Sequence, residues 1–393
     1  MKNFLVVVLT TCTVLALSAC NGDGRTPIIP LEGDVSFETA LFHAMPTDQN
    51  YMVSPFSLRM ALAMAANGAD DETQAQILAA LDIDNLDEFN RVAAEFIAMS
   101  NANELVEFNI ANSIWLNEDL LYGVNFADDF KDIIIGYFAG IAEGACAQYG
   151  GDIVNAWISE QTNDRINDVV SRDVFNPINI TLALLVNTIY FNGDWVSPFN
   201  SALTTDCTFT DRNGVQSNIP IMEQTGRFSF YQNSYFKMLA KPSIDENIRM
   251  YFVLPLVEER LHFSMFEDAI DGMSVTDVRF RLPRFTTESR HENLVEVMQS
   301  MGVDYAFNSY ADFTNMFAPQ PLDLPVYISD ILQKTFISVD EDGAEAAAAT
   351  VLEMVPLMGI PSIPFYCNVP FIYFIRNDIT GDILFMGEFA FAE

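Results

Sequence analysis

Residues 341–368 read EDGAEAAAATVLEMVPLMGIPSIPFYCN, and the reading of this stretch organises the rest of the chain. By intrinsic propensity, Ala344 to Glu353 is a good short helix. Gly343 nevertheless precedes it, and Pro356, Pro361 and Pro364 are incompatible with a helix continuing downstream. Just upstream, Gln333, Thr335, Ile337 and Val339 alternate with Lys334, Phe336 and Ser338, the period-two pattern of a half-buried strand. Just downstream, Phe371 to Ile375 and Ile383 to Met386 are apolar, aromatic runs of strand type. An alanine run of ambiguous local preference is thus strung between strands.

Working outward, half of the 393 residues are hydrophobic and 32 are Phe, so the chain can bury a large core. There is no internal repeat and no low-complexity linker, which favours one folded domain. Apolar residues at helical spacing mark helices at Phe37–Ala44, Pro55–Ala66, Glu72–Leu81, Leu86–Ser100, Phe126–Tyr137 and Asp152–Ile166. In the last of these, Ile153, Trp157 and Ile166 are expected on the apolar side. Ser54 before Pro55 is an N-cap followed by proline in the first turn. From Thr181 onward strands prevail, at Leu182–Phe191, Arg227–Tyr231, Met250–Leu254, Val278–Leu282 and Tyr327–Val339. Helices first and strands afterwards reads as α+β with large, mainly antiparallel sheets.

The charge of −35 excludes nucleic acid and anionic lipid surfaces as partners, because both require a basic face. Lys2 and the apolar run Phe4–Leu17 read as an export signal occupying residues 1–19. Leu17-Ser18-Ala19-Cys20 resembles the lipobox of bacterial lipoproteins, which implies lipidation at Cys20, with residues 20–33 as lipidated N-terminus and tether. The alternative is an ordinary cleaved signal peptide with Cys20 incidental. Cys146, Cys207 and Cys367 have no CxxC spacing and read as free thiols.

Catalytic groups are scarce. Only His43, His262 and His291 are present, and His291-Glu292 lacks the second histidine of a metalloprotease motif. No GxSxG elbow or phosphate-binding glycine loop occurs. Asp82-Ile-Asp84 starts like a calcium loop, but Leu86 and the missing glycine break it. Neither an enzyme, a metal nor a cofactor is expected.

Several separated segments together resemble the serpin family. They are Asn50–Leu58 (NYMVSPFSL), Leu184–Trp195 (LLVNTIYFNGDW), Asp340–Thr350 (DEDGAEAAAAT), Val369–Ile372 and Leu384–Gly387, in the family's order between Asp34 and Phe389. The resemblance implies a serpin domain over 34–393, α+β, with three mainly antiparallel β-sheets, about eight or nine helices and an exposed reactive-centre loop at about 341–364. It implies a suicide-substrate inhibitor of serine proteases, whose cut loop inserts as a strand into the main sheet. The alternative is a non-inhibitory serpin-fold lipoprotein that binds or scaffolds another envelope component.

As implied by the resemblance, the hinge comprises Glu341, Gly343, Ala344, Glu345, Ala346, Ala347, Ala348, Ala349 and Thr350. In an inserted strand Ala344, Ala346, Ala348 and Thr350 would face the core, with Glu345, Ala347 and Ala349 facing outward. Counting along the loop puts the reactive bond at Leu357–Met358, with Met358–Gly359 as second choice. An apolar residue there suits chymotrypsin-, elastase- or subtilisin-like serine proteases, and also papain-like cysteine proteases. Ser54, Ser57, Asn187 and Gln333 match the polar cluster that lets strands part, with Gln333 where the family often has histidine. Trp195 matches the aromatic where the sheet opens, and Arg284 with Glu341 matches a salt bridge across that opening. Asp87, Glu88 and Glu95 against Arg91 on an early helix argue against a polyanion activator, and a monomer is expected.

Overall fold

The computed structural model describes residues 36–103, 105–162, 164–176, 183–291, 294–318, 326–344 and 362–392. The first part of the chain gives α1 (Phe37–Ala44), β1 (Tyr51–Val53), α2 (Pro55–Gly68), α3 (Asp71–Ala80), α4 (Leu86–Ala102), β2 (Val106–Asn117), α5 (Asp128–Phe138), β3 (Ile141–Ala145), α6 (Gly150–Gln161) and β4 (Ala183–Asp194). Then follow β5 (Thr205–Thr210), β6 (Gln216–Gln232), β7 (Phe236–Pro242), β8 (Ile248–Pro255), α7 (Ser264–Ile270), β9 (Ser274–Pro283), β10 (Phe285–His291) and α8 (Leu294–Ser300). The chain closes with β11 (Ile328–Val339), β12 (Gly343–Ala344), β13 (Ile363–Tyr366), β14 (Phe371–Asn377) and β15 (Ile383–Phe389).

Eight α-helices among the described residues surround sheets in which most strand pairs are antiparallel. One network runs β1-β15-β14-β8-β7-β6-β9-β13, with β5 on β6. Its two halves are continuous because β6 is 17 residues long and carries one into the other. The other sheet runs β10-β11-β12-β4-β2-β3, with β11 and β4 also paired directly.

α2 lies beneath this second sheet and is apolar almost all round, so burial rather than amphipathicity holds it as a helix. Its start is set by Pro55 and by Ser54, whose hydroxyl accepts from Ser57 N. On the opposite face of the sheet, Val154 and Ile158 of α6 and Ile166, Val169 and Val170 of the segment after it join Leu184, Val186, Tyr190 and Leu332 in a second apolar cluster. α6 lies over β2 and β3, and the following segment reaches Tyr190 through Arg165 and Lys334 through Asn167 O. The sheet is therefore covered on both sides.

Three expectations need correction. Strand β2 interrupts the helical first third, because Asn112 and Ser113 are buried beside Ile114 and Trp115 and leave no period-two pattern to read. Helix α6 ends at Gln161, not Ile166; Thr162 Oγ1 donates to Ile158 O and accepts from Ile166 N, turning the chain. Ile153 is 46% exposed, and Val154 and Ile158 form the buried side. His291 closes β10 just before α8, its Nε2 lying 2.7 Å from Met52 O. Cys146, Cys207 and Cys367 are free thiols.

Candidate functional site

At its lower end the gap between β4 and β11 is closed, with the two parallel strands paired from Ile328↔Ala183 to Phe336↔Tyr190. Above Phe336 they no longer touch, and β12 fills the space. Ala344 pairs with Val339 on one side and Gly193 on the other, and Gly343 pairs with Asp194. β12 runs antiparallel to both neighbours, having folded back from β11 through Asp340-Glu341-Asp342. The turn is held by Asp340, whose amide donates to Gly343 O (3.0 Å) and whose carboxylate accepts from the amides of Asp342 (3.0 Å) and Gly343 (3.2 Å). Only glycine fits at 343: a Cβ there would stand 2.5 Å from Asp194 Cα and 2.5 Å from Gly193 O.

Glu341 is clamped at the top of this wedge. Arg284 donates through Nη2 at 2.7 and 2.8 Å and through Nε at 3.1 Å, and Thr204 Oγ1 donates at 2.5 Å. Glu341 is 6% exposed, while the Arg284 side chain is about half exposed. Burial alone would raise its carboxyl pKa, but the bonds from Arg284 and Thr204 outweigh that and hold it below the usual range. Trp195, buried, donates its amide to Asp342 O (2.8 Å) and its Nε1 to Asp340 O (3.1 Å), while Phe199 N donates to Glu341 O (2.8 Å).

Lower down, Ser54, Ser57, Asn187 and Gln333 form one buried cluster. Ser54 N donates to Gln333 Oε1 (2.8 Å), and Gln333 Nε2 donates to Ser54 O (3.0 Å) and Asn187 Oδ1 (2.6 Å). Asn187 Nδ2 donates to Ser57 O (3.0 Å) and Asn112 Oδ1 (2.6 Å) and also contacts Ser57 Oγ. Ser54 is thus both helix cap and cluster member, and its own hydroxyl donates to Leu384 O (2.6 Å). Trp195 stands apart from this cluster, at the upper end beside β12. The amide of Gln333 keeps three bonds and cannot titrate.

Sequence reasoning missed Asn112, Thr204 and Lys241. Asn112 gave no signal without β2 being recognised. Lys241 was visible as the cation ending the apolar run Met238-Leu239-Ala240, which Lys237 opens. Other expected site residues, Cys20, Glu345, Ala346, Ala347, Ala348, Ala349, Thr350, Leu357, Met358 and Gly359, lie outside the described residues. Among the described residues no group of three or more His, Cys, Asp or Glu is placed to hold a metal ion.

The family model described as Serpin (serine protease inhibitor) matches residues 32–391. An uncharacterized serpin-like protein of Thermococcus kodakarensis is 31% identical over 87% of this chain and 80% of its own length. Antichymotrypsin-2 of Bombyx mori is 30% identical, over 87% of this chain and 92% of its own. Among solved structures, the native state of the thermophilic serpin tengpin superposes with a TM-score of 0.81 at 28% identity, covering 91% of this chain and 92% of that one. With the family model covering most of the sequence and the fold agreeing, the chain belongs to the serpin family.

Proposed function

We propose that this chain acts as serpins generally do, as a protease inhibitor and not an enzyme. On this reading it inhibits proteases of apolar primary specificity by inserting its cut loop between β4 and β11. The observation that carries the reading is β12: two residues of the hinge are already paired in the gap as the first rungs of a strand. Loop insertion in the family is an established instance of strand addition to a sheet.

Continuing the register of β12 downward, Ala346 would come between Phe191 and Ile337, and Ala348 between Ile189 and Thr335. Thr350 would come between Asn187 and Gln333, whose mutual hydrogen bond must break as the strands part. Thr350 brings a hydroxyl to replace it, and Asn112 Nδ2, buried without an acceptor among the described residues, lies beside it. The other face also demands small residues. Ala347 would pass between Tyr190 and Phe336, and Ala349 between Thr188 and Lys334, beneath the segment that follows α6. Only Glu345, level with Asn192 and Ser338 near the upper end, would retain access to water. A continuous alanine run therefore suits a strand sliding between two covered faces better than strict alternation would.

The reactive bond is proposed at Leu357–Met358 or Met358–Gly359, presenting an apolar side chain to chymotrypsin-, elastase- or subtilisin-like enzymes. Incubation with each should give a one-to-one complex of summed mass that survives SDS. If all three enzymes cut the loop and stay active, inhibition of this class is refuted. Trapping is kinetic: insertion must outrun hydrolysis of the acyl-enzyme.

We further propose that Cys20 anchors the protein to the bacterial envelope through lipid. Cys20→Ser should lose lipidation and appear in the soluble fraction. No helix among the described residues is long and apolar enough to cross a membrane, so a variant that stays membrane-bound contradicts the anchor.

A further inference from the structure

Lys241 on β7 is 1% exposed, and among the described residues its ammonium has no carboxylate partner. Nζ donates to two neutral acceptors, Ser197 O and Gln224 Oε1, each at 2.7 Å. It lies 4.3 Å from the ring centre of Phe199, 5.3 Å from that of Trp195 and 5.8 Å from that of Phe228. The box is built from the segment following β4 (Trp195, Ser197, Phe199) and from β6 (Gln224, Phe228). That same segment holds the hinge turn, through Trp195 to Asp340 and Asp342 and through Phe199 to Glu341. One buried amine is therefore a single residue removed from three of the hydrogen bonds that seat β12.

We propose that Lys241 is a proton-operated latch on the sheet opening: neutral, it stabilises the closed box, and protonated, it favours release of the 195–199 segment and with it the hinge. In the closed box, burial pushes the Lys241 pKa down to about 7, from an ordinary lysine value of 10.5. The sign follows from linkage. A state in which the box opens and the amine meets water holds its proton up to a higher pH than the closed state does. Opening is therefore increasingly favoured as pH falls towards about 7, and the effect levels off once the closed form is protonated as well. The same depression makes the folded chain gain stability as pH rises from about 7 towards 10.5.

No other ionisable side chain competes for the box among the described residues. On β6, Glu223 is engaged by Arg279 and Arg281; at the hinge, Glu341 is engaged by Arg284 and Thr204. Asp340 and Asp342 meet the segment through their backbone carbonyls. His291, whose pKa burial lowers, stands beside Gln333 across β10 and β11 and bonds Met52 O, at the lower cluster and not in the box. Within the box itself Lys241 is the titratable group.

The coupling to insertion rests on the proposed inhibitory function, but opening itself does not. Amide exchange at Trp195 and Phe199 in the uncut protein, taken as the ratio of parent to Lys241→Met at each pH, cancels the intrinsic exchange rate. That ratio should rise by up to about tenfold per pH unit between pH 9 and 7, one proton being linked to opening, and flatten below about pH 6.5. A ratio independent of pH overturns the latch. NMR of 13Cε-labelled lysine gives a check that needs no variant: a Lys241 resonance titrating near 7 supports it, and one titrating above 10 refutes it. Insertion after loop cutting should follow the same pH profile. Exchange that follows it while insertion occurs at a pH-independent rate would refute the coupling to insertion. Exchange that follows it with no insertion at any pH would refute the inhibitory reading and leave the latch standing.

Discussion

Replacing Ala344 with Arg is expected to convert the protein from inhibitor to substrate, while Glu345→Arg leaves inhibition largely intact. Position 344 pairs with Val339 and Gly193, on the face of the sheet that continues through Ile337, Thr335 and Gln333 into the core. A guanidinium there would be buried without a carboxylate to pair with, at a cost of several kcal/mol. Each ~1.4 kcal/mol expressed in the insertion barrier slows insertion about tenfold, so hydrolysis of the acyl-enzyme wins. Because Ala344 is paired before any cut, the arginine should also expel β12 from the uncut sheet. Recognition depends on residues around Leu357, so the rate of loop cutting by chymotrypsin should change little. The readout is the ratio of SDS-stable complex to cut inhibitor at equal enzyme. Equal trapping by both variants and the parent would show that the register of β12 does not extend down the gap.

Much of this was legible in the residues because the relevant signals are local. Proline after an N-cap serine marks α2, alternation marks β11, and a glycine before an alanine run marks the hinge. Fold class followed from the order of such elements, and the family from their combination. What stayed hidden depends on burial from two sides. β2 carries Asn112 and Ser113 in a strand covered on both faces, where Asn112 Oδ1 accepts from Asn187 Nδ2 while its own Nδ2 is left without an acceptor among the described residues. The expectation that Ala347 and Ala349 would simply face outward missed the segment after α6, which covers Tyr190 and Lys334 through Arg165 and Asn167. Glu341 was read only as half of a salt bridge across the opening; its carboxylate is buried and also takes a bond from Thr204. Lys241 lay in plain view, but nothing in its neighbourhood along the chain reveals that Trp195, Phe199 and Phe228 close around it.

Cutting the loop should raise the temperature of unfolding sharply. In the uncut protein β4 and β11 share one parallel ladder, and only Gly343 and Ala344 pair on both sides. Insertion would replace that ladder by two antiparallel ones, so each added residue would bring its own backbone groups into ladder bonds. At a net ~1 kcal/mol per bond, even the stretch from Glu345 to Thr350 contributes several kcal/mol. At ~2–4 °C per kcal/mol for sizeable domains, the midpoint should rise by roughly 10 °C or more. The measurement is thermal unfolding of the parent before and after a single cut near Leu357, with mass spectrometry confirming the site. A large rise, absent in Ala344→Arg, is the result expected of a strand that inserts. An unchanged midpoint in the cut parent would contradict insertion and leave a serpin-fold binding module in its place.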